Sequence, residues 1–200
     1  MDAPRTHGLD PPEIVALVDR AVGRDGDAFG ALYDCYLTPV YRYLYVRTGH
    51  HADAEDLAEQ VFFKAWEALP RFTWQGRPFL AWLYRLAHNA LVDHLRRQRP
   101  TTSLTPTRDD GERPFDLASD VDGAAFAQRL DAQVLIAVIQ QLTPDQQAVI
   151  ALKFLEGRET AEIAEILDKR EGTIRALQLR ALLSLRRLLE AQGEVGMTAS

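Results

Sequence analysis

A single cysteine in 200 residues, Cys35, excludes an internal disulfide and any metal site built from cysteines alone. Its ordinary role is that of a small buried hydrophobe. No apolar run approaches the roughly 18–20 residues of a membrane span, so membrane insertion is not expected. Residues Met1 to Arg5 hold no apolar stretch like that of a signal peptide, so the chain is expected to stay in the cytoplasm. Also missing are a glycine-rich phosphate loop and any serine or cysteine nucleophile motif. His50, His51, Asp53, Glu55 and Asp56 lie close together, but in a loop and the first turn of a helix. There the helix dipole alone accounts for the carboxylates. His88 and His94 lie six residues apart and do not share a helical face. No catalytic residue, metal or cofactor is therefore expected.

Apolar residues make up 46% of the chain and charged residues 26%, the balance of a globular protein with room for one ordinary domain or two small ones. Helical periodicity dominates and no window alternates with period two, so the fold class is all-α. The pattern predicts helices from about Glu13 to Val22, from Asp27 to Thr48 with Pro39 kinking or splitting it, from Asp53 to Leu69, and from Pro78 to Arg97. Residues 99–129 are rich in Thr, Asp, Pro and Gly and read as a flexible linker between domains at 11–98 and 130–190. Helical pattern resumes near Ala124. Thr143-Pro144-Asp145-Gln146 has the form of a capping box that opens a helix running to Leu155, with Gly157 as its stop. Thr160–Leu167, a three-residue turn and a last helix from Gly172 to about Glu190 then form a helix-turn-helix. The tail after Gln192 is expected to fray.

Net charge is −6, which argues against a protein that coats nucleic acid unaided. The charge is unevenly placed. Residues 50–69 carry a net −4, residues 71–99 a net +5 and residues 168–190 a net +3. Such alternation fits more than one kind of partner.

On the third helix, Leu57, Val61, Phe62, Ala65, Trp66 and Leu69 share one broad face at 100° per residue. Asp53, Asp56, Gln60, Phe63 and Glu67 lie opposite, with Glu59 beside them. A lone Phe in an acidic stripe reads either as a stray surface aromatic or as a hot spot inside a charged rim. The loop Arg71-Phe72-Thr73-Trp74-Gln75-Gly76-Arg77 mixes aromatics with arginines, as loops do that stack an unpaired base while cations hold its phosphates. The alternative reading of Trp74 is a hydrophobic plug between helices. Arg85, Asn89, Arg96 and Arg97 occupy polar positions on the helix that follows. In the last helix Ile174, Ala181, Leu185 and Leu188 face inward, while Arg175, Leu179, Leu183, Arg186 and Arg187 face outward.

These motifs coincide with one family. Asp53-Ala54-Glu55-Asp56-Leu57-Ala58-Glu59-Gln60-Val61-Phe62-Phe63-Lys64-Ala65-Trp66 resembles the polymerase-binding helix of the bacterial extracytoplasmic-function (ECF) sigma factors. Phe79-Leu80-Ala81-Trp82-Leu83-Tyr84-Arg85-Leu86-Ala87-His88-Asn89 resembles their promoter −10 helix. Leu142-Thr143-Pro144, Glu162-Ile163-Ala164 and Gly172-Thr173-Ile174-Arg175 resemble their −35 domain. The resemblance implies that Asp53, Asp56, Glu59, Gln60, Phe63 and Glu67 dock on core RNA polymerase, at the β′ coiled coil, with further contacts to the β subunit. It gives Arg71, Trp74, Arg77, Arg85, Asn89, Arg96 and Arg97 to the −10 element, and Lys153, Arg170, Thr173, Arg175, Leu179 and Arg180 to the −35 element. It also implies promoter DNA and an anti-sigma factor as partners. Ala176, Leu177 and Leu179 depart from the pattern, where polar contact residues are common. The rival readings are a stand-alone helix-turn-helix regulator, which has no need of the acidic Phe63 stripe, and a helical adaptor with no nucleic-acid role, for which the basic runs at 71–99 and 168–190 would be merely solvated faces.

Overall fold

The computed structural model describes residues 10–97 and 133–197, so the linker expected at 99–129 lies outside the described residues. The first domain holds α1 (Pro12–Val22), α2 (Gly26–Thr48), α3 (His51–Ala68), a 3-10 turn (Leu69–Arg71) and α4 (Phe79–Arg97). The second holds α5 (133–139), α6 (Pro144–Ile150), a π-helical turn (Ala151–Leu155), α7 (Thr160–Ile166) and α8 (Glu171–Met197). No strand occurs among the described residues.

Local chemistry sets most of the helix ends. Asp25 caps α2 by accepting the Ala28 N–H at 3.0 Å, and Gly49, at φ 75°, closes it in the left-handed region. The start of α4 is capped from far away: an Asp10 carboxylate oxygen accepts the Phe79 N–H at 2.6 Å. The Thr143–Gln146 capping box forms as the sequence predicts. Two elements differ from expectation. Pro39 does not split α2, which runs unbroken from Gly26 to Thr48. A proline inside a helix costs about 3 kcal/mol. The fully buried Leu32, Val40, Tyr43 and Leu44 offset this, at about 1.5–3 kcal/mol for each large apolar side chain. The last helix also runs on to Met197, because extending a nucleated helix costs little where no proline intervenes.

Leu57, Leu69, Phe79, Leu83 and Leu91 fill the first core, and Ile139, Leu152, Ile163 and Ile174 the second. Cys35 is exposed, not buried. The buried arc of α2 runs through Leu32, Tyr36, Val40 and Tyr43, and Cys35 falls roughly 100° away from its centre.

The two domains pack directly on each other. Arg42 of α2 forks onto Glu156, which follows the π-helical turn, with Nε–Oε1 at 2.6 Å and Nη2–Oε2 at 2.9 Å. The Tyr84 hydroxyl donates to the same carboxylate at 2.5 Å. Burial, then the Glu156 charge, pushes the Tyr84 phenol far above its ordinary range, so it stays a donor. Arg47, itself buried, donates from Nη2 to the Pro144 carbonyl at 3.2 Å and from Nη1 to Tyr43 Oη at 2.6 Å.

His88 lies in this interface, 3.2 Å from Arg47 Nη1 and 3.3 Å from Tyr43 Oη. Asp145 of α6 and Lys169 act on it from the second domain. Burial first, and then the Arg47 charge, lowers its pKa to about 4. A folded pKa below the unfolded one means that protonation favours unfolding. The native state should therefore weaken as pH falls from about 6.5 toward 4, by about 2 kcal/mol at pH 5. Urea unfolding at pH 7.5 and pH 5.0 measures this. The difference should shrink by that amount in His88→Asn, and an unchanged difference would exclude His88 as its source.

Candidate functional site

Three surfaces carry the candidate residues. The first is the outer face of α3. Its apolar stripe is buried as predicted, with Leu57, Val61 and Ala65 fully covered. Phe63 stands 64% exposed, an unusual position for a large aromatic, with Asp56, Glu59, Gln60 and Glu67 exposed around it. Phe29, Tyr33, Phe62 and Trp66 line a shallow groove at its foot. Trp66 is held in place by Phe29, at a centroid distance of 4.9 Å, and by the Arg24 guanidinium at 5.1 Å. Asp53 stands apart from the stripe. It is half-buried and turned toward α4, with Oδ2 3.7 Å from His94 Nε2.

The second surface is the loop before α4 and the outer side of α4. Phe72 is its hub, touching Trp74, Phe79 and Trp82 edge-on at 5.1–5.5 Å. Trp74 is half-buried, and its indole N–H donates to Asp19 Oδ1 at 3.1 Å. It is thus neither a deep plug nor an open platform. Arg71, Arg85, Asn89, Arg96 and Arg97 are exposed. Arg96 and Arg97 both lean on Asp93, the former at 4.0 Å from its carboxylate and the latter at 3.2 Å from its carbonyl. Arg77 differs: it pairs with Glu165 of α7. Arg71, Arg77, Arg85 and Asn89 line a cavity of about 300 Å³ whose far wall is Glu165 and Ile166 of the second domain.

The third surface is the helix-turn-helix. Asp168, at φ +53°, makes the tight turn after α7, and the Lys169 N–H reaches back to the Ala164 carbonyl at 2.7 Å. Ile174 and Ala181 are buried beneath α8. Thr173, Arg175, Leu179 and Arg180 face solvent, as does Arg170 in the turn. Arg175 is held by Glu171 at 2.6 Å and Lys153 by Glu159 at 3.3 Å. Leu177, one of the departures from the family pattern, packs against the core and so serves the domain's interior. Leu179 is 61% exposed, suited to contact with a thymine methyl group.

Sequence reasoning missed the residues that join the domains. Arg42 and Glu156 are 114 positions apart, and no local pattern pairs them. The one available signal is Glu156 itself, a carboxylate closing the stretch Ala148–Leu155, which is apolar but for Lys153. Among the described residues no cluster of His, Cys, Asp or Glu could hold a metal ion.

All-helical architecture, a helix-turn-helix in the second domain and an acidic helix with an exposed Phe63 in the first define a two-domain factor of the sigma-70 type. Residues 32–101 match the family model described as Sigma-70 region 2, and residues 132–185 that described as Sigma-70, region 4. The chain is 39% identical to the ECF RNA polymerase sigma factor BldN of Streptomyces coelicolor over 183 residues, covering 90% of this chain and 67% of BldN. Against the ECF RNA polymerase sigma factor SigW of Bacillus subtilis it is 31% identical over 171 residues, covering 82% and 90%. This chain belongs to the ECF sigma factors. The structure of CnrH in complex with the cytosolic domain of CnrY has the same fold, with a TM-score of 0.69 at 23% identity over 90% of this chain and 99% of that one.

Proposed function

We propose that this chain is a dissociable initiation subunit that directs core RNA polymerase to promoters and helps open their −10 region. The observation that carries the reading is Phe63, exposed within its carboxylate rim, in a chain that also bears a helix-turn-helix. Asp56, Glu59, Gln60, Phe63 and Glu67 form the polymerase-docking face, with Asp53 steadying the start of α3 against His94. Arg71, Trp74, Arg77, Arg85, Asn89, Arg96 and Arg97 meet the −10 element, the aromatic taking an unpaired base and the cations its phosphates. Arg170, Thr173, Arg175, Leu179, Arg180 and Lys153 meet the −35 element. Bond-making stays with the polymerase, and the chain's part is binding. Likeness to CnrH, solved with CnrY, and to RpoE, solved with the anti-sigma factor NepR, supports an anti-sigma partner here too. All of this work lies in the cytoplasm.

A stand-alone regulator would shift promoter DNA by itself, whereas the proposed subunit shifts it only with core polymerase. Reconstitution with core polymerase on genomic fragments, followed by sequencing of transcript 5′ ends, should give a defined set of starts absent without the chain. At a start that depends on its −35 element, Arg175→Ala should reduce transcript about tenfold, the cost of one base contact at about 1–3 kcal/mol, with polymerase binding unchanged. Starts that are the same with and without the chain would refute the proposal.

A further inference from the structure

The start of α4 lacks the usual local cap. Pro78 stands ahead of Phe79 and has no side-chain oxygen, and no acidic residue occupies the first turn. The N–H of Phe79 and the positive end of the helix dipole are therefore unmet by the neighbouring sequence. Asp10, 69 positions earlier and just ahead of α1, supplies both an acceptor and a negative charge through its 2.6 Å bond from that N–H.

The same element holds the loop before α4. Asp19 of α1 accepts the Trp74 indole N–H at 3.1 Å. Residues 72–78 are thus pinned at two points by one helix and the residue ahead of it, across a stretch in which Gly76 takes φ +71°. The two carboxylates differ in what DNA asks of them. Trp74 must leave Asp19 to reach a base. Phe79 is 1% exposed, so its N–H is not a group that DNA can take, and the Asp10 bond persists while Trp74 moves.

We propose that Asp10 is a positioning residue for promoter opening, the fixed anchor from which the Trp74 loop swings, while Asp19 parks the ring until DNA arrives. This inference rests on the −10 reading of that loop. Base capture needs Trp74 and the cations of α4 in register, and groups that act together in a site tolerate errors of only about 0.5 Å. Without Asp10 the first turn of α4 frays, and the loop joined to it loses its reference point. The two carboxylates therefore act with opposite sign: loss of Asp10 impairs opening, whereas loss of Asp19 spares or raises it.

The test uses the full chain with core RNA polymerase on a promoter duplex. In Asp10→Ala the permanganate reactivity of −10 thymines should fall about tenfold, the scale of one lost helix cap, with polymerase co-purification unchanged. A premelted bubble should restore most of the transcript. Asp10→Asn keeps an oxygen that accepts the Phe79 N–H, and should open the promoter nearly as well as the parent chain. A purely structural role would reduce transcript on duplex and bubble alike, and that result overturns the proposal. Equal losses in Asp10→Ala and Asp10→Asn overturn it as well, since they assign the effect to charge and not to the held N–H. Full opening in Asp10→Ala while Trp74→Ala opens poorly overturns the anchor and leaves the −10 reading standing. Full opening in both variants removes that reading, and the anchor with it. Should Asp10→Ala lose its helical signal, Asp10→Glu takes its place. It keeps the charge and moves the oxygens by a methylene, so opening should fall in the same direction; opening equal to that of the parent overturns the proposal.

Discussion

Phe63→Ala combined with Asp56→Arg should abolish co-purification with core RNA polymerase while the helical signal and melting temperature stay unchanged. Phe63 points to solvent and contributes nothing to the core stripe of α3, so truncating it removes no packing. In a complex the same ring is buried, and truncating such an anchor costs about 2 kcal/mol or more, a factor of about 30. Reversing the charge at Asp56 then sets a cation against a surface that must be basic to match this rim, which slows association and adds repulsion. Of the groove beside it, the double variant removes only the Phe63 ring and leaves Phe29, Tyr33, Phe62 and Trp66 in place. A pull-down at equal concentrations of chain and core reads the result directly. Retained stoichiometric binding would mean that α3 is a solvated face and that polymerase meets another part of the chain.

The second large effect is expected at Trp74. Extruding a base costs a few kcal/mol, and stacking on an aromatic returns about 1–3 kcal/mol per base. Trp74→Ala should therefore lower the permanganate reactivity of −10 thymines about tenfold while closed-complex formation is nearly normal. A template with a premelted bubble should restore most of the transcript. The Asp19 hydrogen bond gives a second handle, because Trp74 must leave it to reach DNA. Asp19→Ala should leave opening intact or raise it, whereas a plug at this position would make both variants less stable. Loss of thermal stability in Trp74→Ala without rescue by the bubble would assign the ring to packing alone.

Helix positions and faces were legible in the sequence because they follow from periodicity and capping, which act within a few residues. The acidic face of α3, the inner line of α8 and the Thr143–Gln146 box belong to this local level. Pro39 was harder to read, because its local penalty is outweighed by burial that only the assembled core provides. Cys35 shows the same limit: whether a small side chain is covered depends on which neighbour lies over it. Asp53 shares its helical phase with the docking stripe, yet the position of His94 on another helix turns it inward. The Glu156 cluster was beyond reach, since its three members come from positions 42, 84 and 156 and no spacing rule joins them.

The exposed thiol of Cys35 has one more consequence. With no second sulfhydryl in the chain, oxidation has no partner to fold back upon, and any disulfide it forms must join two separate copies or attach a small thiol. Stored without reductant, the protein would drift toward a covalent pair linked through α2, with its helical content unaltered and its apparent mass doubled on a non-reducing gel. For the same reason a maleimide dye would mark each molecule once, at a known point on α2.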